Sequence, residues 1–324
     1  MNGCSITVYE ERKDISPVLN TDIIVHSFAN SLDVNDGTKK DYLASVRYFL
    51  NWLNNNNIER VNRQVMIDYK KYLRSTYSSA STVNQYLSGV RALFKYLETL
   101  GIPNVMSTIK SVKQSRNHKK LPLTKQQALT IQDNLKRDTL QEKRDFLIYQ
   151  LCLRNGLREI EIHRSNIEDI DTRDNENILY LQGKFQNEKN TFVVLCSTVM
   201  EALNDYLQAR GTYKMSDPLF IGLATNKYGT RLTTRSIGRI LTKMLIDNNC
   251  KNKRVTPHSL RHTAITNLTK ASENDLLQAQ IFARHSDINT TTIYIHEDQR
   301  ITNAPEKILE QYYNDDPKDD NSAI

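Results

Sequence analysis

Long apolar runs are missing from this 324-residue chain. No stretch approaches the roughly 18 residues that a bilayer-spanning helix needs, and the first residues lack a signal-peptide core. Both absences predict a cytoplasmic protein without a membrane partner. Cysteine is scarce: Cys4, Cys152, Cys196 and Cys250 lie far apart, with no paired spacing for zinc or a redox couple. Reduced thiols without function are expected. Acidic residues are absent from Asn104 to Lys125, where Lys110, Lys113, Arg116, Lys119, Lys120 and Lys125 stand instead. No internal repeat is apparent.

What is present is the composition of a globular protein, 39% apolar and 25% charged, and enough chain for two domains. The net charge of +7 suits a polyanionic partner. The basic run is either a solvated linker or a strap that neutralises phosphates along a duplex. The tail is opposite in sign, with Asp315, Asp316, Asp319 and Asp320 close together.

Periodicity divides the chain further. Residues 1–20 form an extension without periodicity, expected to be loosely ordered. Residues 21–103 read as a four- or five-helix bundle. Tyr42, Leu43, Val46, Phe49, Leu50 and Leu53 make one buried stripe, and Val65, Met66, Tyr69, Tyr72 and Leu73 a second. Thr82-Val-Asn-Gln85 reads as a capping box before a third, which Gly101 stops and Pro103 keeps from resuming. Arg91 and Lys95 stand on the bundle's polar faces, near a hydroxyl-rich loop at residues 75–82 that suits phosphate contacts or is an ordinary polar loop. Residues 104–121 are the basic linker. A second, mainly helical domain spans 122–304: a helix capped by Thr124, a buried one over Arg144–Leu153, a hairpin of strands Ile178–Leu181 and Thr191–Leu195, then helices over Val199–Arg210, Thr234–Asp247 and His258–Thr269. Residues 305–324 hold a last helix, with Ile308, Leu309, Tyr312 and Tyr313 on one face, and the acidic tail. That helix packs on its own domain or docks into a neighbouring subunit.

Several residues carry chemistry. His258 and Arg261, three apart on a helix opened by Thr256-Pro257, project an imidazole and a guanidinium from one face. Arg158 follows Gly156 at another helix start, with Glu161 one turn on to orient it or simply pair with it at the surface. Lys184 ends the first hairpin strand, with Lys189 as a rival in the same turn. His285 and Tyr294 are nine residues apart. In one straight helix that is about 13 Å, so a break in the β-branched stretch Asn289–Thr292 is needed to bring both to one phosphate. Fixed cations, proton carriers and a phenol suit a phosphodiester.

In order and spacing these residues resemble the tyrosine recombinase/integrase family across nearly the whole chain. Asn155-Gly-Leu-Arg-Glu-Ile-Glu161 is similar to the family's first arginine box, Gly183-Lys184 to its hairpin lysine, and His258-Ser-Leu-Arg-His262 to its second box. Ala283-Arg-His-Ser-Asp-Ile-Asn-Thr-Thr-Thr-Ile-Tyr294 resembles the last. Two departures stand out: Arg284 where the family often has glycine, and Phe185 where glycine usually follows the lysine.

The resemblance implies a mainly α fold with a small β-sheet. It makes a two-domain C-shaped clamp of a core-binding, DNA-binding bundle and an α+β catalytic domain. It implies catalysis by Arg158, Lys184, His258, Arg261, His285 and Tyr294. Tyr294 attacks a scissile phosphodiester to give a 3′-phosphotyrosyl bond, with His258 as general base, Lys184 as acid, and Arg158, Arg261 and His285 stabilising the phosphate oxygens. No cofactor, metal or ATP is expected. The implied partner is double-stranded DNA bearing specific sites, bound by a homotetramer that exchanges strands through a Holliday junction, with accessory proteins as further partners. Arg91, Lys95, Lys110, Lys113, Arg116, Lys119 and Lys120 are the expected DNA-binding residues. Some twenty residues precede the bundle, which points to chromosome-dimer, plasmid or transposon resolution rather than an integrase with an arm-binding domain. The alternatives are a type IB topoisomerase and a catalytically silent DNA-binding regulator on the same fold. The target site, the reaction's direction and the host element are not legible in the sequence.

Overall fold

The computed structural model describes residues 5–8, 19–113, 120–183, 188–272, 275–284 and 309. The chain divides into two compact units, Met1–Ser115 and Arg116–Ile324.

The first unit is built on α1 (Thr21–Ser31), α2 (Asp36–Asn55), α3 (Arg63–Thr76) and α4 (Ala80–Thr99). Each of the last three starts on a short polar side chain that occupies an otherwise orphaned backbone donor. Asn35 accepts from the Thr38 amide, Asn62 from that of Val65, and Ser79 from that of Thr82. The expected capping box at Thr82 is therefore replaced by a simple cap one turn earlier, at Ser79. Thr82 is a donor to the cap rather than the cap itself, because α4 already begins at Ala80. The buried stripes meet in a core of Phe28, Phe49, Leu53, Met66, Tyr69, Leu73, Leu87 and Phe94. Phe49 packs edge-on against Tyr69 (4.8 Å between ring centroids) and Phe94 (6.3 Å). Gly89 lies in mid-helix at the α2–α4 crossing, where a β-carbon would stand 2.5 Å from Ser45 Cβ and 2.9 Å from the Tyr42 carbonyl. α4 stops as expected, with Gly101 at φ +81°.

Regular structure precedes α1, contrary to expectation. β1 (Ser5–Val8) pairs antiparallel with β2 (Leu19–Asn20) and parallel with β3 (Arg60–Val61). Strands of two to four residues are too short for the period-two pattern to register. The first part of the basic segment belongs to this unit. Ile102, Met106 and Ile109 are buried in its core, and Asn84 bonds both the amide (2.8 Å) and the carbonyl (2.9 Å) of Val112.

The second unit begins with α5 (Lys125–Asn134), capped by Thr124 in a capping box with Gln127. α6 (Leu140–Arg154) starts four residues earlier than its apolar pattern suggests, because Thr139 and Glu142 form a second capping box. Its stretch Phe146–Cys152 is buried without interruption, packed against α8 (Ser197–Arg210), α9 (Thr234–Asp247) and α10 (His258–Ala271). The hairpin is a three-stranded antiparallel sheet, in the order β4 (Ile170–Arg173), β5 (Glu176–Leu181), β6 (Thr191–Val194). β4 escapes the sequence pattern because it is an edge strand whose residues Asp171–Arg173 face solvent. The short α7 (Glu159–Arg164) follows α6, and α11 (Leu276–Ala283) follows α10. No helix among the described residues is long and apolar enough to cross a membrane. The last predicted helix, 305–313, lies outside the described residues apart from Leu309.

Candidate active site

α6 ends at Arg154, and Gly156 then turns the chain at φ +59°. Glycine is required there twice, because a β-carbon would also approach Phe282 Cε1 to 2.9 Å. The turn delivers Arg158 to the N-cap of α7. Glu161, 1% exposed, accepts its backbone amide on Oε2 (2.8 Å) and its Nη1 on Oε1 (2.7 Å). The pair is thus not a surface ion pair: the carboxylate is buried and orients a guanidinium that keeps about a quarter of its surface, 25%.

The second arginine arrives from α10. That helix opens with Pro257 as its cap residue, and Ser259 Oγ accepts from the Thr256 amide (3.0 Å). Arg261 is 2% exposed and donates to the carbonyls of Gly156 and Ala283. A buried arginine is tolerable when its donors meet acceptors and its charge has a function. His258 is exposed one turn earlier, its ring edge-on to that of the buried His262 at 4.9 Å.

Arg158, His258 and Arg261 line a single cavity of about 420 Å³, with Cys152, Leu157, Glu159, Ile160, Leu241 and Pro257. The lining joins two guanidiniums, an imidazole and one carboxyl, Glu159, to apolar side chains. Burial pushes the Cys152 thiol far above its usual pKa, so it stays a neutral wall. Burial also raises the Glu159 carboxyl. Glu161 goes the other way. Burial alone would raise it, but the Arg284 and Arg158 guanidiniums, the Arg158 amide and Arg261 outweigh that and hold it below the usual carboxylate range.

Around the hairpin, Arg164 Nη1 donates to the Gly183 carbonyl (2.8 Å), tying the residue before Lys184 to α7. Lys189 bonds both oxygens of the buried Asp169 at 2.6 and 2.7 Å. Lys184, His285 and Tyr294 lie outside the described residues, as do Arg116 and Lys119. Lys95, Lys110 and Lys113 are exposed. Arg91 is half-buried and donates to the Ile109 carbonyl (3.0 Å), while Lys120 donates to that of Lys253 (3.0 Å). Sequence reasoning passed over Arg164, whose reach to Gly183 has no local signal. It noted Arg284 only as a departure from glycine.

A family model described as "Phage integrase family" matches residues 122–300, and one described as "Phage integrase, N-terminal SAM-like domain" matches residues 26–103. Tyrosine recombinase XerC of Thermodesulfovibrio yellowstonii is 28% identical over 288 residues, covering 86% of this chain and 93% of that one. Tyrosine recombinase slr0733 of Synechocystis is 26% identical over 231 residues, 71% and 72% of the two chains. The XerH site-specific recombinase bound to palindromic difH in a post-cleavage complex superposes with a TM-score of 0.68 at 20% identity, over 84% of this chain and 80% of that one. A lambda integrase dimer on a COC′ core site gives 0.64 at 14%, over 84% and 94%. The two superpositions establish a common fold.

Proposed function

This chain belongs to the phage integrase family and is a tyrosine-type site-specific DNA recombinase, and on that footing we propose how its residues cut and rejoin DNA. Tyr294 Oη attacks the scissile phosphorus and the P–O5′ bond breaks, leaving a 3′-phosphotyrosyl link and a 5′-hydroxyl. His258 takes the phenol proton and Lys184 supplies one to the departing oxygen. Arg158 and Arg261 hold the nonbridging oxygens, and His285 adds a hydrogen bond. A 5′-hydroxyl from a second duplex reverses the step, so strands are exchanged through a Holliday junction within a tetramer. The observation that carries this reading is the single cavity shared by Arg158, His258 and Arg261. Lys189's commitment to Asp169 favours Lys184 as the acid.

The first unit is read as the core-binding domain, with the exposed Lys95, Lys110 and Lys113 meeting backbone phosphates. Each such lysine changed to alanine should lower the salt slope of DNA binding by about one.

The test is covalent capture on nicked suicide duplexes drawn from the gene's own neighbourhood. Wild type is expected to give a denaturation-resistant protein–DNA band, lost in Tyr294→Phe and in Arg158→Ala. Equal yields from wild type and Tyr294→Phe would remove Tyr294 as the nucleophile. Binding without a band on every fragment would favour a silent DNA-binding protein.

A further inference from the structure

Arg284 ends α11 with a left-handed backbone, φ +51° and ψ +45°, a conformation that disfavours a β-carbon and favours glycine. The side chain held there is 11% exposed, and both its Nη groups reach the turn that carries Arg158, while its buried Nε meets no acceptor among the described residues. Its Nη1 donates to the carbonyls of Phe282 (3.0 Å) and Asn155 (3.3 Å), and its Nη2 to the Gly156 carbonyl (3.1 Å) and Glu161 Oε2 (3.0 Å). Glu161 is the same carboxylate that grips Arg158, and the Gly156 carbonyl is the same one that Arg261 holds. Arg284 therefore touches the partners of both cavity arginines while standing outside the cavity lining.

Charge explains what this does. An isolated Arg158–Glu161 pair sums to zero, and a buried carboxylate with one counter-ion draws that counter-ion away from any phosphate. With Arg284 present, two guanidiniums share one carboxylate and a positive charge is left over. We propose that Arg284 is a positioning residue for strand cleavage, neutralising Glu161 so that the charge of Arg158 faces the scissile phosphate. This rests on the reading of Arg158 as a phosphate-holding group. Burial, and after it the nearby Arg158 cation, pull the Arg284 guanidinium below its ordinary value, and Glu161 opposes them only in part. A helix-ending role alone makes the opposite prediction, since glycine fits the backbone better than arginine does.

The experiment compares full-length wild type, R284G, R284K, E161Q and R284G/E161Q. One readout is single-turnover covalent capture on a nicked suicide duplex at saturating protein. The other is the titration of the Glu161 carboxyl, followed by NMR of protein labelled at glutamate side-chain carbons and assigned through E161Q. R284G is expected to slow capture about tenfold or more, with R284K between it and wild type because lysine keeps the charge and loses the fork. Removing the carboxylate charge should compensate, so R284G/E161Q should run several-fold faster than R284G, on the order of the charge-pair coupling seen in close ion pairs. In R284G the Glu161 titration should move up, because the guanidinium that contributes most to holding it down is gone. Capture by R284G at the wild-type rate, no recovery in the double variant, or an unmoved Glu161 titration would each overturn the proposal. Absence of capture by wild type would instead break the recombination reading, and the titration would still decide whether Arg284 sets the charge of Glu161.

Discussion

The interior of the first unit is nearly all apolar: Phe28, Phe49, Leu53, Met66 and Phe94 are fully buried, and the polar groups buried with them are uncharged, the Ser45 and Tyr69 hydroxyls. The second unit buries Arg144, Glu161, Asp169, Arg261 and His262 alongside a larger apolar core. A closed hydrophobic interior can be repacked with modest loss. A buried charge cannot, because its partners must stay matched and each orphaned group costs its desolvation. The buried charges of the active site gather where α7, the start of α10 and the end of α11 converge on the turn after α6. The second unit thus buries charged groups that ordinary stability would not favour, whereas among its described residues the first buries none and leaves only the Tyr69 hydroxyl without a partner.

Arg261→Ala and Phe49→Ala pull these two interiors apart most strongly. Arg261→Ala removes a charge proposed to face the phosphate, deprives the Ala283 carbonyl of this donor and leaves the Gly156 carbonyl with Arg284 in its place. Capture should fall by about a thousandfold or more, with stability lowered by roughly 1–3 kcal/mol. Phe49→Ala opens a hole in the first core and should cost about 3–5 kcal/mol while leaving every reacting group in place. Denaturant melts and capture on the same two proteins check this. An Arg261→Ala variant that melts like Phe49→Ala yet still captures DNA would dissolve the contrast.

Two glycines sharpen it. Gly156→Ala forces a β-carbon onto Phe282 and a left-handed turn, and Gly89→Ala forces one onto Ser45 and the Tyr42 carbonyl. Both should lose on the order of 1–3 kcal/mol. They should part in function: Gly156→Ala shifts the turn that aims Arg158 and should slow capture by about 10- to 100-fold, whereas Gly89→Ala should capture at the wild-type rate once DNA is saturating. Asn155-Gly156 reads as the close of a helix, but the approach of Phe282 to Gly156 and of Ser45 and Tyr42 to Gly89 was not legible, because each depends on a neighbour far along the chain. The candidate residues that line the cavity could be picked out for the opposite reason. Gly156–Glu161 and His258–Arg261 are local blocks whose residues share one helix start or one face, so spacing alone ties them together. Thr124 and the bounds of α9 were legible through caps and an amphipathic stripe. β4 and the sheet of β1, β2 and β3 were not, since short strands leave almost no periodic trace. Arg284 could be seen only as an anomaly, for its partner Glu161 is 123 residues away.

pH separates the two units more gently. Glu161 is held below its unfolded value, so its contribution to stability is present above the unfolded pKa and is lost as pH falls through the folded one. Glu159 is raised by burial, so its ionised form weakens the fold as pH climbs through and above the unfolded value. Glu159→Gln should therefore melt above wild type at pH near 7, and the gain should vanish below about pH 4. Asp68 in the first unit is lowered by hydrogen bonds from Gln64 and Lys71 on an open surface, and Asp68→Asn should leave melting unchanged within error. A gain from Glu159→Gln that persists in acid would remove burial of its charge as the cause.

The smallest effect tests where α4 begins. Thr82-Val-Asn-Gln85 has the letters of a capping box, and Ser79 precedes it by three residues. The helix starts at Ala80 because Ser79 has an extended backbone, φ −88° and ψ 116°, and its oxygen accepts from the Thr82 amide. Thr82 then sits inside the first turn, where its hydroxyl is not needed to satisfy an orphaned amide and its β-branch slightly disfavours the helix. Ser79→Ala should cost about 0.5–2 kcal/mol. Thr82→Ala should be neutral or gain a few tenths of a kcal/mol. The reverse ranking in a melt would return the start of α4 to Thr82 and lengthen the loop after α3, moving its hydroxyl side chains away from the positions described.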